Sequence, residues 1–346
     1  MKAFVTGSTG LLGSNLVRLL LAQGHEVKGL ARSKEKAERV FQDTAVEIII
    51  GDMEDVAAFA PAMAGCDVLF HCAAYFREYY RDGDHWPKLQ KINVDGVREI
   101  LTAAEAHGVQ KAIHVSTAGV IHMKGDESAP SNSSVQQNLY FQSKVLAEEV
   151  VQEFIAKHEM PVTMILPGWM IGPGDAAPTD SGQLVLDLLH GELPGIIDGG
   201  MSTVDARDVA QAMIAAVENG RSGERYIVGG RLTPMETIAQ MVADLTGAKA
   251  PRKIPYAIVL AMAWASETKA RLTNSETLLT VRGVRTIHAS LTVDSDKAER
   301  ELGANFRPLR ETLLDEIGWF AANGYVKKSV DLADTAVAAN LKVKQA

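Results

Sequence analysis

Tyr140 and Lys144 lie four residues apart in a stretch with helical periodicity, so both side chains project from one helix face about a turn apart. A phenol of ordinary pKa about 10 exchanges protons poorly near neutrality. A neighbouring ammonium stabilises the phenolate and lowers that value, which suits the pair to moving a proton to or from a substrate oxygen. Ser116 and Thr117, at the end of an upstream apolar run, add hydroxyls able to hydrogen-bond the same oxygen. A Tyr and a Lys at this spacing also occur as an ordinary surface pair. The weight of the pattern therefore rests on what the chain positions around it.

That context comes from Thr6-Gly7-Ser8-Thr9-Gly10-Leu11-Leu12-Gly13, placed between the first strand-like run and the first helical one. Glycines at this spacing let the backbone approach a pyrophosphate and let helix pack on strand. The helix N-terminus offers free N–H groups and the positive end of its dipole. Gly7, Thr9, Gly10, Leu11, Leu12 and Gly13 are therefore expected to bind a dinucleotide. An NAD-selective site usually carries Asp or Glu about 20 residues on, at the end of the second strand, to hold the ribose 2′-hydroxyl. Here that place holds Arg32, followed by Ser33, Lys34 and Lys36. A guanidinium binds a 2′-phosphate through charge-assisted hydrogen bonds where a carboxylate would repel it. NADP is the expected cofactor, with NAD the second candidate, and an oxidised nicotinamide would acidify Tyr140 further.

The elements that must hold these groups alternate along the chain. Apolar runs at Ala3 to Thr6, Glu26 to Ala31, Val46 to Ile50, Asp67 to His71, Ala112 to Ser116 and Val162 to Leu166 are strand-like. Helical patterns intervene at Leu11 to Ala22, Asp55 to Met63, Ile92 to His107 and Leu139 to Lys157. Near-continuous apolar strands separated by helices fit an α/β fold with a doubly wound parallel sheet of Rossmann type, covered on both faces. After Pro167, Gly- and Pro-rich segments and then mostly helical ones read as a smaller, mostly helical C-terminal substrate lobe. Asp205 to Val217 and Arg225 to Val228 look like a return to the sheet. The dinucleotide-binding domain is thus expected over residues 1–168 and about 195–232, the lobe over about 169–194 and 233–326, and a frayed tail over 327–346. Tyr75 to Lys88, carrying Phe76, Arg77, Tyr79, Tyr80, Arg81 and Trp86, and Ile121 to Asn138 read as long loops over the strand ends.

Composition narrows the function. The 346 residues carry 35 Lys and Arg against 43 Asp and Glu, a formal charge of −8 without the basic footprint of a nucleic-acid binder. Cys66 and Cys72 are too few for a disulfide framework and fit a reducing cytoplasm. The longest strongly apolar run, Ile254 to Ala265, is short of the about 20 residues a membrane span needs. The chain opens on a strand rather than a secretory signal. None of the nine His falls in a His-Glu-x-x-His pattern, so no metal is expected. A cytoplasmic protein acting on a small molecule, with neither nucleic acid nor membrane as partner, is the expectation.

Seven motifs follow one another in order: the Gly7, Gly10, Gly13 turn; Gly51-Asp52-Met53; His71-Cys72-Ala73-Ala74; Asn93-Val94; His114-Val115-Ser116-Thr117-Ala118-Gly119; Tyr140 to Lys144; and Pro167-Gly168-Trp169-Met170-Ile171-Gly172-Pro173. Over residues 1 to about 326 the chain thereby resembles the extended branch of the short-chain dehydrogenase/reductase superfamily, within it the dihydroflavonol-4-reductase-like NAD-dependent epimerase/dehydratase relatives. The resemblance implies an NAD(P)-dependent oxidoreductase that moves hydride between the nicotinamide and a substrate carbonyl. Tyr140 would protonate the oxygen, Thr117 would hydrogen-bond it, and Lys144 would anchor the ribose while tuning Tyr140. The family's catalytic hydroxyl falls on Thr117 if Ser116-Thr117 stands for its usual Ser-Ser pair, with Ser116 the second candidate. Also implied are Asp52 and Met53 beside the adenine, Ala73 and Ala74 beside the phosphates and ribose, Pro167 and Gly168 against the nicotinamide, and Asn93 as a buried structural residue. A homodimer through the Ile92 to His107 and Leu139 to Lys157 helices is common in the superfamily.

The aromatic segment Tyr75 to Trp86 and the apolar Ile254 to Ala265 suggest a hydrophobic pocket, and with it the resemblance implies a hydrophobic ketone or aldehyde as substrate. Two other readings stand beside this one. A nucleotide-sugar epimerase or dehydratase shares the turn and the Tyr–Lys pair. A non-catalytic NADP-sensing regulator is a different class, against which the joint presence of Tyr140 and Lys144 argues. Asp205 and Asp208 read as helix-capping carboxylates rather than an acid/base pair.

Overall fold

Strands form where apolar residues run without polar interruption, because both faces of the sheet they join are covered. The computed structural model describes residues 1–76, 84–121, 138–273, 277, 279–327, 330, 332 and 335–337. Its strands are β1 (Lys2–Thr6), β2 (Glu26–Ala31), β3 (Glu47–Ile50), β4 (Val68–His71), β5 (Lys111–Val115), β6 (Val162–Pro167), β7 (Trp169–Ile171), β8 (Gly200–Asp205), β9 (Arg225–Val228) and β10 (Arg231–Pro234). Seven of them make an all-parallel sheet of order β3-β2-β1-β4-β5-β6-β9, a Rossmann-like α/β fold. The remaining three form a small sheet of order β10-β8-β7.

Crossovers between β1 and β6 run through α1 (Leu11–Ala22), α2 (Lys34–Phe41), α3 (Val56–Phe59) with a 3-10 turn Ala60–Met63, and α4 (Trp86–Lys88), which continues through a π-helical turn Leu89–Asp95 into α5 (Gly96–Ala106), and then α6 (Leu139–Ile155). The rest of the chain adds α7 (Asp180–His190), α8 (Ala206–Asn219), α9 (Met235–Thr246), α10 (Tyr256–Thr273), α11 (Val281–Ala289), α12 (Asp296–Leu302) and α13 (Leu309–Ala322). One face of the large sheet packs Phe4, Leu69 and Met164 against Val97 and Leu101 of α5 and Val151 and Phe154 of α6. The other packs Val5, Phe70 and Ile113 against Leu16 and Leu20 of α1 and Met213 of α8. Each such fully buried side chain contributes about 1.5–3 kcal/mol, so the two-sided core holds the strand ends in a fixed relation. A third core, with Val185, Ile238, Leu313 and Phe320, joins α7, α9 and α13 in the mostly helical C-terminal region.

Several details differ from expectation. The helix expected from Ile92 begins at Trp86 and includes a π turn, the kind of insertion that re-aims a side chain and recurs at functional sites. The expected return to the large sheet is carried by α8 and β9, whereas β8 in the same stretch leaves it to lie between β7 and β10 in the small sheet. Of the tail, Val337 is among the described residues and is fully buried in the third core. Arg77, Tyr79, Tyr80 and Arg81, and residues 122–137 of the second long loop, lie outside the described residues. No helix among the described residues is long and apolar enough to cross a membrane.

Candidate active site

In a parallel sheet all strands end at one edge, so the residues that follow them converge. The glycine turn follows β1, Arg32 follows β2, Asp52 and Met53 follow β3, Ala73 and Ala74 follow β4, Ser116 and Thr117 follow β5, and Pro167 and Gly168 close β6. The strand order reverses between β1 and β4, and at such a switch point ligands bind outside the carboxyl ends of the strands. The strand-end residues expected to bind the cofactor therefore belong to one edge.

The glycine turn is a cradle that requires glycine at positions 7 and 13. Gly7 adopts φ +65°, and a Cβ there would stand 2.8 Å from the Ala73 amide nitrogen. A Cβ on Gly13 would lie 2.2 Å from the Gly7 carbonyl oxygen. Gly10 caps α1 without a side-chain bond, so the first-turn N–H groups face the crevice with no carboxylate or hydroxyl of the cap over them. The turn is locked to its neighbours: the Thr6 hydroxyl accepts from the Ala73 N–H at 3.2 Å and bonds His71 Nδ1 at 2.7 Å, while Ser8 donates to the Leu30 carbonyl at 2.8 Å. Close backbone approach beside an open helix N-terminus fits a dinucleotide pyrophosphate. At the end of β2, Arg32 is exposed. The Ser33 hydroxyl accepts from the Lys36 N–H at 3.1 Å and donates to Glu35 at 2.7 Å, which holds the Glu35 carboxyl below its ordinary range. Glu35 thus adds a carboxylate to the turn where a 2′-phosphate was expected.

Asn138 caps α6, accepting the N–H groups of Tyr140 and Phe141 at 3.0 and 3.3 Å. The Tyr140 ring packs between Phe76 and Phe141, with centroids 4.7 and 5.7 Å away. Phe141 in turn fills the space over Gly119, where a Cβ would meet its ring at 2.5 Å. One turn along, Lys144 is buried and its Nζ donates to the Val115 carbonyl at 2.6 Å. Burial brings the Lys144 ammonium down to about 8, against the pull of Glu148 and Cys72. The expected lowering of the Tyr140 phenol is not what the protein's own groups produce. Burial pushes it up, because the ring loses water while the Lys144 ammonium is bonded to Val115.

The two candidate hydroxyls differ. Ser116 points inward and donates to Glu148 at 2.5 Å. Thr117 is half-buried and accepts from the Gly119 N–H at 3.3 Å, which leaves its own proton for another acceptor. Asn93, on the π turn, accepts from the Tyr75 N–H at 2.7 Å and donates to the Tyr75 carbonyl and to Ser143, whose hydroxyl donates to the Tyr140 carbonyl. It ties the extension of β4 to the first turn of α6, a structural clamp. Of the two acidic caps, Asp205 accepts from the Arg207 N–H at 2.8 Å as expected. Asp208 instead pairs with Arg307 at 2.6 Å, because its place in the first turn of α8 faces that chain segment. Glu148 escaped the sequence reading, although its position four residues after Lys144 places it on the same helix face.

The profile of the NAD dependent epimerase/dehydratase family matches residues 3–229. A Synechocystis sp. protein provisionally named a dihydroflavonol 4-reductase is 31% identical over 94% of this chain and 96% of its own. A 4-hydroxy-2-methyl-3-oxo-4-farnesyl-3,4-dihydroquinoline-1-oxide ketoreductase from Stigmatella aurantiaca is 30% identical over 92% of this chain and 96% of its own. Among solved structures, that of gox2253 is 32% identical with a TM-score of 0.77, covering 94% of this chain and 99% of that one. The glycine turn, the strand-end residues and the Tyr140–Lys144 helix all fall within the matched region, and the chain belongs to the NAD dependent epimerase/dehydratase family, in the extended short-chain dehydrogenase/reductase superfamily of NAD(P)-dependent oxidoreductases.

Proposed function

We propose that the protein is an NADP-dependent carbonyl reductase/alcohol dehydrogenase of dihydroflavonol-4-reductase type, acting on a hydrophobic ketone or aldehyde. The observation that carries this reading is the bond from Lys144 to the Val115 carbonyl, which ties the Tyr140–Lys144 helix to the sheet edge where Thr117 and the glycine cradle also follow their strands. When bound, the nicotinamide supplies the hydride. Tyr140 gives its phenolic proton to the substrate oxygen, and Thr117 donates a hydrogen bond to the same oxygen. Lys144, fixed by the Val115 carbonyl, holds positive charge beside the phenol and the ribose. That charge opposes the effect of burial on Tyr140 and makes the phenolate an accessible state. Phe76 and Phe141 flank Tyr140 with apolar surface, which supports a hydrophobic substrate. Asp52 and Met53 are assigned to the adenine, Ala73 and Ala74 to the phosphates and ribose, and Pro167 and Gly168 to the nicotinamide.

Arg32 supports NADP over NAD, with Glu35 in the same turn as the opposing charge. The relatives named as reductase and ketoreductase support reduction over epimerisation. The free Cys66 and Cys72 accord with a cytoplasmic setting, and α5 and α6, side by side on one sheet face, with a homodimer. The test is titration with NADPH and NADH followed by a screen of hydrophobic carbonyl compounds. NADPH is expected to bind roughly tenfold tighter, with NADPH consumed on a ketone or aldehyde. Conversion of a nucleotide sugar without net cofactor consumption would point to an epimerase, and binding without turnover of any compound to a sensor. Either result would overturn the proposal.

A further inference from the structure

The helix that carries Tyr140 and Lys144 brings a third ionisable residue to the same face. Glu148 follows Lys144 by one turn and is only 9% exposed. Its oxygens are held separately, Oε1 by the Ser116 hydroxyl at 2.5 Å and Oε2 by Arg225 of β9 at 3.4 Å. Ser116 directly follows Val115, whose carbonyl accepts from Lys144 Nζ. Two consecutive residues at the end of β5 therefore pin the carboxylate and the ammonium.

Among the described residues, the sheet beneath Lys144 presents no carboxylate. The rings of His71 on β4 and His114 on β5 stack with centroids 5.3 Å apart. His71 Nε2 and both ring nitrogens of His114 are buried with no hydrogen-bond partner among the described residues. Burial, with the Lys144 charge adding to it, holds both imidazoles neutral, His71 down to about 3, and burial raises the Cys72 thiol to about 12. Facing Lys144 are thus neutral His71 of β4 and neutral Cys72 just after it, neutral His114 from β5, and Tyr140 and Glu148 from its own helix, with Arg225 of β9 behind Glu148. An ammonium over a neutral, water-poor floor is costly unless an anion stands beside it.

We propose that Glu148 is a positioning residue of the reaction: anchored by Ser116 and Arg225, its carboxylate keeps the Lys144 ammonium charged and in place at the strand edge. The consequence for catalysis rests on the role given to Lys144 above. The coupling between the two side chains does not, and it is read in the cofactor-free protein. The alternative is that the Glu148–Arg225 pair merely ties β9 to α6, in which case the titration of Lys144 is independent of Glu148.

The experiment follows the pH titration of Lys144 by NMR in protein labelled with carbon-13 lysine, the resonance assigned by its loss in Lys144→Met. The wild-type midpoint is expected near 8. Glu148→Gln is expected to lower it by about one pH unit, a tenfold rise in the amine-to-ammonium ratio. Glu148→Asp, which keeps the charge but withdraws it by one methylene, is expected to lower it less. A midpoint unmoved in Glu148→Gln overturns the proposal. If that variant does not fold, Glu148→Met, which fills the same space without a charge, decides in the same way, a downward shift supporting the coupling and an unchanged midpoint refuting it. Failure of the carbonyl-reductase reading would appear in the substrate screen and leave this shift intact.

Discussion

Replacing Glu316 by Gln is expected to remove a pH-dependent loss of stability built into the C-terminal core. Glu316, on α13, is fully buried, and neither carboxylate oxygen makes a well-formed hydrogen bond among the described residues. Burial first, then the negative charges of Asp175 and Asp205, push its carboxyl well above the usual carboxylate range, while the Gly172 amide and Arg207 act the other way. Arg207 is already engaged by Asp205 at 2.7 Å and Asp315 at 2.6 Å, so it is a poor counter-ion for a third carboxylate. A raised value means that the folded chain keeps a proton the unfolded chain releases. Above the ordinary value of 4.5, and up to the folded value, stability therefore falls as pH rises. The slope is up to about 1.4 kcal/mol per pH unit for one proton. Glu316→Gln keeps the shape and a neutral head group but has nothing to titrate. The two proteins are expected to unfold alike in acid, and the variant to gain on the wild type with each further pH unit, about 2 °C in Tm per kcal/mol for a chain of this size. Urea unfolding at stepped pH measures the difference. A difference that stays constant with pH, or that grows toward acid, would refute the reasoning.

Other consequences are equally direct. Gly13→Ala places a methyl 2.2 Å from the Gly7 carbonyl, so the turn must open. Stability is expected to fall by about 1–3 kcal/mol and NADPH binding by roughly tenfold or more, and calorimetric titration showing wild-type affinity would contradict the cradle. Arg32→Ala is expected to weaken NADPH roughly tenfold while sparing NADH, and equal losses for both would show that Arg32 does not read the 2′-phosphate. Thr117→Val is expected to cost about 100-fold in kcat, as for loss of one donor to the reacting oxygen, and Ser116→Ala less. The reverse ranking would exchange their roles.

The large sheet and its edge were readable because their determinants are local. Apolar runs bounded by helices specify a parallel sheet, and once the sheet is parallel each strand-end residue must fall on one edge. Gly7 and Gly13 were readable for a related reason, since each lies where another backbone comes within 3 Å of an added Cβ. What escaped depends on partners distant in sequence. Nothing near Asp208 announces Arg307, and nothing in the tail announces that Val337 reaches the third core. The choice of β7 rather than β6 as the partner of β8 is likewise a matter of register, which an apolar run does not encode. That burial raises the Tyr140 phenol in the chain alone was not legible, because charge proximity along a helix is visible in spacing, whereas desolvation beside Phe76 and Phe141 is not. Glu148 lay in plain view at helical spacing, but its meaning needed Ser116 and Arg225 brought from two strands.

The central claim is that the phenol of Tyr140 moves the proton while the carbonyl is reduced. Tyr140→Phe tests it most directly, with turnover measured on a carbonyl compound found in the screen and NADPH affinity measured on the same preparation. The account predicts a loss of kcat of about 10²–10⁴ with NADPH binding nearly unchanged. Turnover at the wild-type rate would contradict it.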